Sequence, residues 1–107
     1  MKKNIAILFG GKSSEYEVSL SSAYGLLSNI DREKYELYTI GITREGKWLL
    51  FSGDIEKIRS DEWYMNTEEN RPVLFSPDNG DGGLIIDEAV GFKKVKIDAV
   101  FPMIHGR

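Results

Sequence analysis

The chain has 107 residues, which suits a single domain with one modest core. Hydrophobic residues make up 41% and charged residues 29%, which argues against disorder over the whole length, and a net charge of −3 gives no support for nucleic-acid binding. With no cysteine and one histidine, a disulfide framework, a thiolate or multi-histidine metal site within the chain, and a cysteine nucleophile are excluded.

In chain order, Asn4-Ile5-Ala6-Ile7-Leu8-Phe9 is a short apolar run bounded by charge and glycine, which reads as a strand buried on both faces. No apolar run approaches the roughly 18 residues needed to span a bilayer. The run after Lys2 and Lys3 is also too short for a secretory signal and ends in glycines. A cytoplasmic protein without a membrane partner is therefore expected. Gly10-Gly11 allows a sharp turn, and Ser14 and Glu17 stand at the S-x-x-E spacing of a capping box. A helix follows over residues 17–29 or 17–30, because Leu20, Ala23, Leu27 and Ile30 form one apolar stripe.

Residues 35–43 are rich in aromatic and β-branched types and read as a second strand, so the opening suggests a right-handed, parallel βαβ unit. Arg44-Glu45-Gly46 looks like a hairpin loop with residues 47–51 returning, expected as a local embellishment of the parallel sheet. Residues 54–59 read as a short helical turn, and residues 60–71 carry no clear pattern. Trp48, Phe51, Trp63 and Tyr64 are expected as satellite core or interface aromatics. Pro72 places residues 72–76 on an edge strand. Residues 77–83 are a dense turn signal, and residues 84–86 with 92–95 form a second hairpin. Residues 97–103 are an apolar run expected as a third central strand parallel to the first. The fold class is therefore α/β and three-layered: a small, mainly parallel sheet with helices on both faces and one or two hairpins.

In such a sheet ligands bind at the carboxyl ends of the strands. Glu15 follows the first strand there; it is either a first-turn acid stabilised by the helix dipole or a carboxylate that accepts hydrogen bonds from an ammonium group, and the two are compatible. His105 follows the last strand and lies on the same edge, where it either meets solvent or joins a site with Glu15. Arg107 serves an anion or simply solubility. The glycine turn lacks G-x-x-x-x-G-K-[ST] and G-x-G-x-x-G, so a tight structural turn explains it better than a phosphate cradle.

The segment Phe9-Gly10-Gly11-Lys12-Ser13-Ser14-Glu15-Tyr16-Glu17-Val18-Ser19 resembles the N-terminal signature of D-alanine–D-alanine ligases, and Val100-Phe101-Pro102-Met103-Ile104-His105-Gly106-Arg107 resembles the strand leading into that family's H-G-x-x-G-E-D-G motif. Gly41-Ile42-Thr43-Arg44-Glu45-Gly46-Lys47-Trp48 is similar to the hairpin of its longer members, which include the D-alanyl-D-serine and D-alanyl-D-lactate ligases of vancomycin-resistant bacteria. The resemblance implies a Rossmann-like pre-ATP-grasp domain, residues 1–107, of an ATP-dependent ligase of peptidoglycan precursors. There, ATP with Mg2+ phosphorylates the carboxylate of a first D-alanine, and the amine of a second attacks the acyl phosphate. It implies Glu15 as the catalytic and substrate-binding residue that holds the first ammonium. Val18 lines that pocket, His105 lies near the reacting groups, and Ser14 shapes the loop. It further implies that ATP and Mg2+ are held by later domains, so no cofactor and no metal is expected on this chain alone, which is then inactive by itself. A homodimer through this region is also implied. The rival expectation is a non-enzymatic α/β binding module sharing only the strand–turn–helix opening.

Overall fold

The structure, a computed structural model, describes residues 2–11, 16–75, 83–88 and 91–103. Strand β1 runs Lys3–Gly10 and is buried from Ile5 onward, as its unbroken apolar run requires. Helix α1 covers Tyr16–Asn29 and buries Leu20, Ala23 and Leu27 of the expected stripe together with Tyr16 and Ser19, whereas Ile30 lies just past the helix and is half-buried. Strand β2, Tyr35–Ile42, pairs with β1 in parallel from Lys3 opposite Tyr35 to Gly10 opposite Ile42. The strand–helix–strand opening is thus present with nearly the expected boundaries.

Beyond β2 the chain departs from a plain parallel repeat. Strands β3 (Trp48–Phe51), β4 (Asn70–Phe75), β5 (Gly83–Glu88) and β6 (Gly91–Lys96) each pair antiparallel with the preceding strand. Strand β7, Ala99–Pro102, returns to pair in parallel with β1, giving the order β6-β5-β4-β3-β2-β1-β7. The fold class is α/β as expected, but the seven-stranded sheet is mixed, with parallel pairing confined to β2, β1 and β7.

The first hairpin is therefore no local embellishment. Phe51 is buried and Leu49 and Leu50 are half-buried, so β3 is apolar on both faces and behaves as an interior strand. Nor is β4 an edge. It pairs with β3 through Asn70, Arg71 and Pro72 and with β5 through Val73, Leu74 and Phe75. Pro72, which has no N–H to give, sits where one ladder ends and the other has not begun. Strand β7 is parallel to β1 as expected, yet it is an outer strand of the described sheet and not a central one.

The two outer strands, β6 and β7, are consecutive in the chain with only Ile97 and Asp98 between them. Two residues reach about 10 Å between flanking Cα atoms, so the sheet must coil until its edges approach. Asn4 fastens the closure: its side-chain amide donates to the Lys96 carbonyl at 2.7 Å and its backbone N–H to Asp98 Oδ2 at 2.8 Å. The Asp98 N–H returns a bond to the Asn4 carbonyl at 2.8 Å.

Coiling divides the core in two. Ile5, Ile7 and Phe9 face α1, the short helix α2 (Glu56–Arg59) and Trp63, while Ala6, Leu8 and Ile40 face Val73, Leu84, Ile86 and Val95. Both described helices thus lie on one face, and the curled antiparallel strands cover the other, where a second helical layer was expected. Trp63 is no satellite residue: it has no exposed surface and stands edge-on to Phe9 at 4.9 Å and Phe51 at 6.3 Å between ring centroids. A Cβ on Gly41 would come within 2.4 Å of the Trp63 ring, so only glycine fits beneath it. The pattern-free stretch is ordered around this indole. Asn66 caps a 3₁₀ turn at Thr67–Glu69, and the Asn70 side chain donates to the Trp63 carbonyl at 2.9 Å.

Candidate functional site

The carboxyl ends of the three parallel strands share one edge. Gly10 and Gly11 take φ values of 89° and 102° there, and a Cβ on Gly10 would meet the Ile42 carbonyl oxygen at 2.3 Å. The Gly11 N–H donates to that same oxygen at 2.7 Å, and the Gly10 N–H to the buried Ser19 hydroxyl at 2.8 Å. On the other side of β1, the Met103 N–H donates to the Leu8 carbonyl at 2.7 Å. The described flanks of the two motif-bearing stretches therefore meet beside the end of β1. Ser14, Glu15, His105 and Arg107 themselves lie outside the described residues, as does most of the 77–83 turn. Val18 stands in the first turn of α1 with 52% of its surface exposed and joins no polar cluster.

The first residue of α1 centres a cluster that the sequence did not announce. The Tyr16 ring is buried, its hydroxyl donates to Asp61 Oδ1 at 2.7 Å, and it accepts from the Trp63 indole N–H at 3.1 Å. The Arg44 guanidinium lies 3.9 Å from the Tyr16 ring centroid and reaches Asp61 Oδ2 at 3.4 Å. Asp61 has φ 62°, the one positive value outside glycine among the described residues. Burial, then the Asp61 carboxylate, push the Tyr16 phenol well above the ordinary tyrosine range, with Trp63 and Arg44 opposing. Tyr16 is thus held as a neutral hydrogen-bonding post. Beside it, Tyr16, Thr43, Arg44, Glu45 and Tyr64 line a cleft of about 90 Å³. No repeat or motif spacing links positions 16, 44 and 61; an arginine in a turn and an aspartate in an unpatterned stretch are ordinary surface residues until the fold joins them.

Among the described residues no three His, Cys, Asp or Glu side chains converge to hold a metal ion, and no helix is long and apolar enough to cross a membrane. A parallel strand–helix–strand unit, with a glycine turn and a third parallel strand meeting at one edge, defines an α/β domain of the ligand-binding kind. The chain belongs to the D-ala D-ala ligase N-terminus family, whose model matches residues 4–107.

The D-alanine–D-alanine ligase of Thermoanaerobacter sp. (strain X514) is 44% identical over 105 residues, covering 98% of this chain and 28% of that protein. That of Clostridium novyi (strain NT) is 45% identical over 106 residues, covering 99% and 27%. Among solved structures, the VanG D-Ala:D-Ser ligase from Enterococcus faecalis superposes with TM-score 0.87 at 38% identity, covering 95% of this chain and 29% of that one. The D-alanine–D-alanine ligase from Coxiella burnetii gives TM-score 0.74 at 28% identity, covering 98% and 29%. The chain thus spans little more than a quarter of the length of the relatives it matches.

Proposed function

We propose that residues 1–107 form the N-terminal, amino-acid-binding domain of a longer, ATP-dependent D-alanine–D-alanine ligase of peptidoglycan precursor synthesis, acting in the cytoplasm. The family match over residues 4–107 carries the reading, and the bond from the Met103 N–H to the Leu8 carbonyl supports it by joining the strands that precede the two motif-bearing stretches. In this reading Glu15 accepts hydrogen bonds from the ammonium of the first D-alanine. A charge-assisted contact of that kind both attracts and orients the amino acid. His105 donates to negative charge developing at the reacting carboxyl group. Val18 supplies apolar wall from the first turn of α1, and Ser14 shapes the loop. The reading assigns ATP and Mg2+ to ATP-grasp domains of the longer polypeptide, and this domain's part is to bind and orient D-alanine. Homodimerisation through this domain belongs to the same proposal.

The likeness to a D-Ala:D-Ser ligase makes D-serine the second amine to set against D-alanine, with D-lactate as the depsipeptide alternative. The test is release of inorganic phosphate from ATP by the full-length polypeptide carrying these residues, with products identified by mass spectrometry. Phosphate release that requires D-alanine and yields D-alanyl-D-alanine is expected. Preference for D-serine or D-lactate would shift the assignment within the family, and no D-alanine-dependent turnover would support a non-enzymatic binding module instead.

A further inference from the structure

The Tyr16 cluster has no part in the ligase reading as given, yet Tyr16 directly follows Glu15 in the sequence. We propose that Asp61 and Arg44 are positioning residues for binding of the first D-alanine, acting through Tyr16; this rests on the ligase reading above.

Four residues separate Gly11 from Tyr16. At one end of that span the Gly11 N–H is tied to the Ile42 carbonyl of β2. At the other, Tyr16 is held by groups from two further segments: Asp61 from the turn after α2, and Arg44 from the turn between β2 and β3. Apolar packing alone would be served as well by phenylalanine. The hydroxyl adds direction, since its one proton goes to Asp61 and a lone pair takes the Trp63 N–H, which pins the outer end of the ring. Asp61 adopts a backbone conformation that costs energy for a residue with a side chain, which marks a place where the direction of its carboxylate is held by the surroundings. Arg44 covers the exposed flank of the ring and neutralises the carboxylate facing it. The start of α1 is thereby set relative to the sheet edge from both sides.

The experiment compares variants of the full-length polypeptide. Asp61→Gly keeps the left-handed turn and removes the carboxylate, whereas Asp61→Asn tolerates the same turn and keeps an oxygen for Tyr16. Asp61→Gly is expected to raise KM for the first D-alanine roughly tenfold while kcat changes less than about twofold, since misplacement weakens binding before it alters chemistry. Asp61→Asn should restore KM to within about twofold of wild type. The indole N–H resonance of Trp63 should shift in Asp61→Gly and return in Asp61→Asn. Tyr16→Phe, which keeps the ring, should reproduce the KM rise. A lower unfolding temperature with unchanged KM in Asp61→Gly and Tyr16→Phe would mean a core-knitting role only and overturn the inference while leaving the ligase reading intact. A wild-type polypeptide without D-alanine-dependent phosphate release would remove the ligase reading and this positioning role with it.

Discussion

The hydroxyl of Tyr16 donates to the carboxylate of Asp61 at 2.7 Å across 45 residues of sequence, and this bond joins the start of α1 to the turn that follows α2. It holds a phenol in its neutral form, because burial and the neighbouring carboxylate both disfavour the tyrosinate.

That preference sets a pH dependence. The folded-state pKa of Tyr16 lies above its unfolded value, so its stabilisation is fully present below roughly pH 10, the ordinary tyrosine value, and is lost as pH rises beyond it. Urea unfolding between pH 9 and 11 should show wild-type stability falling more steeply than that of Tyr16→Phe. Parallel slopes would place the phenol in an ordinary environment.

Gly41 is predicted to be intolerant of any side chain. Gly41→Ala puts a methyl group where the Trp63 and Phe9 rings already meet, with approaches of 2.4 Å and 2.8 Å. Overpacking of this kind costs about 1–3 kcal/mol, read as a lower urea midpoint with a shifted Trp63 emission.

Ser19 is buried beneath α1, and its hydroxyl accepts a hydrogen bond from the Gly10 N–H. Ser19→Ala leaves that donor without a partner, a loss of about 1–3 kcal/mol by denaturant unfolding. Ser21→Ala, on the exposed side of the same helix, should change stability by less than about 0.5 kcal/mol.

The opening of the fold was legible because one local pattern decided each element: an unbroken apolar run for β1, a three–four stripe on α1, and β-branched and aromatic residues in β2. The coiling of the sheet was not. It follows from the two-residue link between β6 and β7 and from the Asn4 bonds, and neither has a signature in the local pattern. Pro72 pointed to an edge because a proline lacks a donor, and the exchange of partners between Arg71 and Val73 that accommodates it is a tertiary event. Trp63 lay in a polar stretch, and only the cavity left by Gly41 and Phe9 made it central. For the site, the motifs around Glu15 and His105 were readable directly, whereas Tyr16 at the start of α1 meets Arg44 and Asp61, from two separate turns, only through the fold.

The most direct test of the central claim is the Glu15→Gln variant of the full-length polypeptide, assayed for D-alanine-dependent peptide-bond formation. Loss of the carboxylate removes the charge-assisted contact with the ammonium, so kcat/KM for the first D-alanine should fall at least about a hundredfold, on the order of 3 kcal/mol, with the unfolding temperature unchanged. Unaltered kcat/KM in a folded Glu15→Gln protein would contradict the account.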